Sequence, residues 1–215
     1  MAAVSADVTR ERETETMKKC LCGLMAAVLL AGTVLAANHT CPAAAMTDVA
    51  HDAWYHTAVD WVLSNGVMSG FGASRFGPDA TLTRAQVVQV LYNKEGQPAL
   101  NGAAHSFSDV PVNQWYNNAV TWASSRGIVS GYGGGVFKPD DPVTIEQVFV
   151  ILWNYEGNPP LTGDADAVGP HSEWAGNAIG WAQATGLMDN MPFDRVTDPA
   201  SRAQTAQMLM NLARS

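Results

Sequence analysis

An eight-residue pattern occurs three times in this chain of 215 residues, and it constrains the fold more than any other feature. The pattern reads Trp-x-x-x-Ala-(Val/Ile)-x-Trp, a glycine always follows at the same distance, and the copies span residues 54–61, 115–122 and 174–181. After each copy comes a Thr/Ser-x-x-Gln tetrapeptide, at residues 83–86, 144–147 and 201–204. Repetition at a nearly fixed period indicates an array of similar supersecondary units. The sequence therefore predicts three units, over residues 47–97, 107–158 and 164–215.

Each unit reads as two helices joined by a loop. Trp54, Ala58 and Trp61 share one face at helical spacing, which predicts a first helix that carries Trp54 and stops at Gly66. The tetrapeptide has the spacing of a capping box and predicts the start of the second helix. Apolar residues then recur at helical spacing: Val87, Val90, Leu91, Val148, Ile151, Leu152, Met208, Leu209 and Leu212. Because a unit of this size cannot bury its apolar face alone, we expect a compact all-α body in which three helix-loop-helix units pack with approximate threefold pseudosymmetry.

The first 45 residues resemble an export signal rather than part of the fold. Lys18 and Lys19 precede an uncharged run over residues 21–37, and small residues at 34–36 or 43–45 offer cleavage sites. A retained transmembrane anchor is the alternative, but the run is short for a bilayer span. Residues 1–16 precede a natural translation start at Met17. All three cysteines lie in this leader, so we expect an exported body without disulfides, thiolate metal ligands or membrane contact after cleavage.

Charge and motif content exclude several classes of function. Residues 46–215 hold eight Lys or Arg and sixteen Asp or Glu, so the whole formal net charge of −8 lies there and argues against a nucleic-acid partner. No nucleophile elbow or phosphate loop occurs, and the five histidines lack paired metal-ligand spacing. Asp189, Asp194 and Asp198 lack the alternation and the final Glu of a calcium loop. We therefore expect a protein that is not an enzyme, with no metal and no cofactor.

The middle unit carries the motifs of a known family. Phe107-Ser108-Asp109-Val110, Trp115, Ala119-Val120, the run from Gly127 to Gly133, and Phe137-Lys138-Pro139 strongly resemble an S-layer homology domain. The family's hallmark is Thr-Arg-Ala-Glu at the start of the last helix, where this chain has Thr-Arg-Ala-Gln, Thr-Ile-Glu-Gln and Ser-Arg-Ala-Gln in its three units. The resemblance implies three repeats folded as one pseudo-trimer at the cell wall or S-layer surface. It also implies non-covalent binding of a secondary cell-wall polysaccharide, often through a pyruvylated sugar.

Two arginines are the leading candidates for ligand binding. Arg84 and Arg202 each follow the N-cap residue of a second helix, where the helix dipole disfavours a cation. Our interpretation is that both face an anion that the helix N–H groups also contact, since guanidinium binds carboxylate or phosphate bidentately. An ordinary surface arginine, or one paired with a nearby Asp, is the alternative. The family resemblance favours the binding role.

Glycine loops and aromatic side chains complete the candidate set. The ligand-binding residues predicted besides the arginines are Gly70, Phe71, Gly72, Gly131, Tyr132, Gly133, Trp54 and Trp115. For the loops the competing explanation is turn chemistry, and for the repeated tryptophans it is core packing, which the periodicity favours over sugar stacking. Asp48 and Asp109 are interpreted as caps of the first helices, with contact to sugar hydroxyls as the alternative.

The pattern of losses predicts how the grooves are assembled. The second unit has Ile145 in place of the arginine, and the third unit has Asp189-Asn190-Met191-Pro192 in place of the glycine loop. If each groove joins the arginine of one unit to the loop of the next, both losses fall in one groove. Arg84 would then meet the Gly131 loop and Arg202 the Gly70 loop, so that two grooves stay complete.

Three functions remain open from the sequence. The first is a secreted module that anchors at the bacterial cell surface by binding the wall polymer. The second is a structural or interaction module that assembles with other surface proteins. The third is the anchoring fragment of a secreted wall-acting enzyme whose catalytic domain lies outside this chain.

Overall fold

The structure is a computed structural model that describes residues 40–72, 74–160 and 163–214. Within these ranges the chain forms six α-helices, and its β-structure is limited to three isolated bridges. The helices are α1 (His56–Ser64), α2 (Arg84–Lys94), α3 (Asn117–Ser125), α4 (Ile145–Tyr155), α5 (Gly176–Ala184) and α6 (Arg202–Leu212). The prediction of an all-α fold built from helix pairs is confirmed.

The helix pairs close into a ring. The second helix of each unit packs against the first helix of the next, so α2 lies on α3, α4 lies on α5, and α6 returns to α1. The segments before the second helices meet at the centre. There Leu82 N–H donates to Ala200 O at 3.2 Å, Ala200 N–H to Val143 O at 2.8 Å, and Val143 N–H to Leu82 O at 3.0 Å. This closed cycle of hydrogen bonds between buried residues gives the body its approximate threefold axis.

The helix starts and ends follow from local sequence signals. Thr83, Thr144 and Ser201 each accept a hydrogen bond from the amide three residues on, and the glutamine at that position returns one, so all three predicted capping boxes form. Gly66, at φ +64°, lets Val67 N–H donate to Val62 O at 2.9 Å beyond the end of α1, as expected of a glycine C-terminal signal. The start of α1 differs from the prediction.

The two tryptophans of each repeated pattern have different roles. Trp122 and Trp181 are buried and Trp61 is half-buried, as core packing predicts. The first tryptophans are exposed, by 39% at Trp54, 59% at Trp115 and 58% at Trp174. The core interpretation is therefore wrong for them. The reason is that α1, α3 and α5 begin only after these residues, which lie in the preceding turns and not on the apolar helix face.

The packed body begins earlier than the sequence indicated. Pro42–Ala45 forms a short 3₁₀ helix against α1, in which Ala43 is fully buried and its N–H donates to Asp60 Oδ1 at 3.3 Å. Cys41 also belongs to this body, with Sγ 3.4 Å from His56 Nε2, and burial raises the pKa of its thiol. Residues 41–45 therefore pack with the described body, while the extent of the leader and its cleavage site stay predictions. The rest of the predicted leader, residues 1–39, lies outside the described residues.

We expect processing upstream of Thr40, at the small residues 34–36 rather than at 43–45. Cleavage after Ala45 would remove an element whose Ala43 is fully buried. Mass spectrometry of the exported protein should find an N terminus between residues 37 and 40 and no peptide from residues 18–36. An N terminus at Met46 would contradict the packing argument, and recovery of the intact chain from the cytoplasm alone would contradict export. None of the described helices is long and apolar enough to cross a membrane.

Candidate ligand-binding grooves

Arg84 reaches from the first unit into the loop of the second. Its Nε donates to Phe137 O at 3.0 Å and its Nη2 to Ser130 O at 2.9 Å. The guanidinium carbon lies 4.7 Å from the ring centre of Tyr132 and 4.8 Å from that of Phe137. The side chain thus crosses the junction between units and is held by carbonyls and aromatic faces.

Arg202 makes the matching contacts with the loop of the first unit. Its Nε donates to Phe76 O at 2.8 Å and its Nη2 to Ser69 O at 2.6 Å, and its guanidinium carbon lies 4.6 Å from the ring centre of Phe71. Each of the two arginines therefore bonds to the loop of the unit that follows its own in the ring. The predicted position of these arginines, next to the loop of the following unit, is confirmed.

Both guanidinium groups are nearly buried and form no ion pair among the described residues. Arg84 and Arg202 are each 7% exposed, and neither forms an ion pair with a carboxylate in the described part of the chain. Burial lowers the pKa of both side chains. For Arg84, Tyr132 and Asp141 partly offset this effect, and for Arg202 the distant Asp48 does. Neither alternative interpretation, a surface arginine or an Asp-paired one, fits these positions.

The helix N–H groups are not available to a ligand. Arg84 N–H donates to Asp141 O and Ala85 N–H to Pro139 O, both at 3.0 Å, while Gln86 N–H donates to the Thr83 hydroxyl. The expectation that these amides contact an anion is wrong, because the neighbouring loop supplies carbonyl acceptors. The first three amides of α2 therefore all have acceptors within the protein.

An open cavity of about 310 Å³ lies beside Arg84 and draws on all three units. Its lining residues are Arg84, Ile128, Val129, Ser130, Gly131, Tyr132, Gln147, Val150, Ile151, Asn154 and Trp174. Gln147 Nε2 donates to the Tyr132 hydroxyl at 3.2 Å, so the α4 capping glutamine also fixes the ring over Arg84. The lining thus combines a charged group, two amides and exposed aromatic faces around one space, a mixture of apolar surface and a few polar groups that is common in small-molecule sites. We call this space the Arg84 groove.

Steric crowding explains why glycine occupies the loop positions 70 and 131. A Cβ on Gly131 would lie 2.5 Å from Val136 O, and one on Gly70 would lie 2.6 Å from Arg75 O. Tyr132 N–H donates to Val136 O across the same tight turn. The glycines thus let the loop fold back and place the intervening aromatic residue over the arginine. The glycines therefore have the role that the turn-chemistry explanation gave them, and they contribute to the groove only by positioning the aromatic residue.

The third junction lacks these features. Ile145 is 1% exposed and faces the third-unit loop beside Pro192, Phe193 and Asp194, as predicted from the pattern of losses. The cavity there, also about 310 Å³, is lined by two carboxylates, Asp194 and Asp198, and by no arginine. The cation is therefore missing from this junction, where Phe193 is the aromatic residue of the cavity lining.

Asp48 and Asp109 hold the loops rather than cap the first helices. Asp109 accepts the N–H groups of Phe137 at 2.8 Å and Lys138 at 2.7 Å, and Asp48 accepts those of Phe76 and Gly77. The capping prediction is wrong because α1 and α3 begin eight residues after these aspartates, and their N-cap residues are Tyr55 and Tyr116. Burial raises the pKa of both groups, but the backbone donors outweigh it, so that both pKa values are lowered. In the third unit the corresponding residue is Val168, and no such loop clamp occurs among its described residues.

These lowered pKa values predict an acid-sensitive fold. A carboxylate with a depressed folded-state pKa adds stability above its unfolded pKa, about 3.9 for Asp, and loses it as the pH falls through the folded value. We expect Asp109→Asn to lower the melting temperature by several degrees at pH 7, because one loop amide loses its acceptor. The difference from wild type should shrink below about pH 4. A constant difference between the two proteins from pH 7 to pH 3 would contradict the clamp.

The structure also shows which groove residues the sequence interpretation missed. Trp174 and Gln147 line the Arg84 groove. In the sequence, Trp174 is only the first tryptophan of the third repeated pattern, and Gln147 is only the last residue of the second capping tetrapeptide. The other exposed tryptophans precede helices that pack by the same rule. Trp115 precedes α3, which lies on α2, and Trp54 precedes α1, which lies on α6.

Similarity to known proteins agrees with this architecture. The family model for the S-layer homology domain matches residues 45–88 and 106–148. Among similar proteins, a cell surface protein of Thermoanaerobacter kivui is 32% identical over 110 residues, covering 49% of this chain and 14% of that protein. An exoglucanase of Acetivibrio thermocellus is 30% identical over 175 residues, covering 75% of this chain and 16% of the enzyme. An S-layer protein of Bacillus anthracis is 29% identical over 150 residues, covering 67% and 18%.

The chain therefore spans less than one fifth of the length of each of these relatives. The matched segments contain both loop clamps and both glycine loops described above. Their boundaries coincide with the first and second helix pairs up to the first turn of each second helix. On the family match and the architecture together, this protein carries S-layer homology domains at residues 45–88 and 106–148.

Proposed function

We propose that the chain anchors at the bacterial cell surface by non-covalent binding of an anionic secondary cell-wall polysaccharide. The observation that carries this proposal is Arg84, a nearly buried cation at the wall of an open cavity lined by exposed aromatic residues. Arg84 has no ion-pair partner among residues 40–72, 74–160 and 163–214. The S-layer homology domains and the surface proteins among the relatives support the same location.

The chemistry of the groove favours an acidic sugar. The guanidinium can bind a carboxylate through its remaining N–H groups, and the faces of Tyr132 and Trp174 can stack on a pyranose ring. A pyruvyl substituent provides such a carboxylate on a sugar, so a pyruvylated residue of the polymer is our proposed ligand. Gln147 and Asn154 line the same space, where Gln147 Nε2 donates to the Tyr132 hydroxyl and Asn154 Nδ2 donates to Ile128 O.

We also propose that residues 164–215 form a third, diverged repeat of the same domain. Its helices α5 and α6 complete the ring, but it has lost the loop clamp and the glycine loop. Two binding grooves follow, centred on Arg84 and Arg202. The third junction then serves to close the ring, and its two carboxylates repel an anionic polymer.

The relatives include an exoglucanase as well as surface proteins, and this variety favours a binding role over a catalytic role for the shared segment. We propose that this chain, like a module that recurs in proteins of different activity, supplies attachment only. We propose that other surface proteins are neighbours of this chain because they bind the same polymer.

Retention on purified cell walls tests the proposal. The purified protein should sediment with walls that carry their secondary polymer and should stay in the supernatant with walls from which that polymer has been extracted. Free polymer added to the first sample should release the protein. Equal retention on both kinds of wall would show that the polymer is not the ligand, and no retention on either would remove the proposed function.

A further inference from the structure

Glu146 is a buried carboxylate that only the second unit possesses. It is the second residue of α4 and is 4% exposed, whereas the corresponding residues of α2 and α6 are Ala85 and Ala203. Its two oxygens accept hydrogen bonds from one residue of the third unit, Ser172, from N–H at 3.0 Å and from Oγ–H at 2.9 Å. Within the described residues it forms no ion pair. A buried carboxylate is costly unless its hydrogen bonds are met, so this contact needs an explanation.

Ser172 is part of the turn that carries Trp174. It precedes the 3₁₀ helix Glu173–Ala175, and its carbonyl accepts the N–H of Ala175 at 2.9 Å. Glu146 therefore ties this turn to the first turn of α4, one residue before Gln147. Trp174 and Gln147 both line the Arg84 groove, and Trp174 is 58% exposed there.

We propose that Glu146 is a positioning residue that fixes Trp174 as one wall of the Arg84 groove before ligand arrives. A wall that is already in place costs less conformational entropy on binding than one that must be ordered. The Arg202 junction has Ala85 at the corresponding position, so the turn that carries Trp115 lacks this tie. The Arg84 groove is therefore the tighter of the two. The expected effect on binding rests on the proposed function, whereas the positioning of Trp174 by Glu146 is independent of it.

The positioning can be measured without ligand. In protein labelled with 5-fluorotryptophan, the ¹⁹F resonance of Trp174 is assigned as the signal that disappears in Trp174→Phe. Glu146→Ala should shift or broaden this resonance while leaving the signal of Trp115 unchanged. Glu146→Gln can still bond both groups of Ser172 and should restore it. Glu173→Ala, which removes an exposed carboxylate from the same turn, is the matched control and should change little.

The binding consequence is measured on polymer-bearing walls in the Arg202→Ala background, where only the Arg84 groove remains. Glu146→Ala should weaken retention by about 3–10-fold, because the freed turn that carries Trp174 must then be ordered on binding, and Glu146→Gln should recover most of it. Adding Glu146→Ala to Trp174→Ala should cause no further loss. An unchanged Trp174 resonance, or equal additional loss in the Trp174→Ala background, would overturn the inference. Absence of wall retention in wild type would instead reject the proposed function, and the ¹⁹F result would still decide the positioning.

Discussion

Replacing both Arg84 and Arg202 with alanine should reduce retention on polymer-bearing walls to near background, whereas each single replacement should weaken it. The two side chains occupy equivalent junctions, and each is nearly buried with no ion pair in the part of the chain that the structure describes. Two grooves on one body bind one polymer with avidity, so loss of one groove removes the avidity and loss of both removes binding. The measurement is the wall concentration that retains half of the protein.

The matched control is Ile145→Ala, which changes the corresponding residue of the third junction. Ile145 has no charge to offer a ligand, so the variant should retain wild-type wall binding although it loses some stability. Because both arginines also hold a loop in place, each variant must first show a cooperative melting transition above the assay temperature. Arg84→Lys separates the two roles further, since it keeps the charge but cannot reproduce the two-atom contact with Phe137 and Ser130. Full wall binding by the folded double variant would show that the arginines do not face the ligand.

The largest stability effect is expected for Trp122→Ala. Trp122 is 3% exposed, lies on α3 where it packs against α2, and has its ring centre 5.6 Å from that of Tyr92. Truncation of a buried aromatic side chain typically costs about 3–5 kcal/mol. Thermal or denaturant unfolding measures this loss directly.

Trp122→Phe is the matched variant for this position. Trp122 Nε1 has no hydrogen-bond partner among the described residues, so phenylalanine loses ring volume but no hydrogen bond. We therefore expect a much smaller destabilisation than for alanine. Trp122 does not line the Arg84 groove, and wall binding should persist in any variant that stays folded. A melting temperature of Trp122→Ala equal to that of wild type would show that the ring is not part of the core.

The sequence predicts the helix pairs well because their signals are local. The tetrapeptides that begin with Thr83, Thr144 and Ser201 contain their own capping partners, so each helix start is readable without tertiary information. The between-unit placement of Arg84 was also accessible, although Arg84 and Ser130 are 46 residues apart. It followed from comparing which residues each unit had lost, not from propensity.

Other parts of the site depend on partners that no local pattern shows. Asp109 looks like a helix cap in sequence, but its donors are the amides of Phe137 and Lys138 in the following loop. The first tryptophans share the spacing of a helix face, yet the helices begin after them, and Trp174 becomes part of a groove that begins with Arg84. At the N terminus, small residues suit both a cleavage site and close packing, and the burial of Ala43 distinguishes the two.

The number of ligands bound by one protein tests the central claim most directly. Calorimetric titration with a purified short fragment of the wall polymer should give two sites per chain, reduced to one in Arg84→Ala and one in Arg202→Ala, with the tighter site lost in Arg84→Ala. The remaining junction, with Ile145 opposite Asp194, should contribute none. Three sites, or a single site that survives both arginine replacements, would contradict a ring in which two junctions bind and the third only closes it.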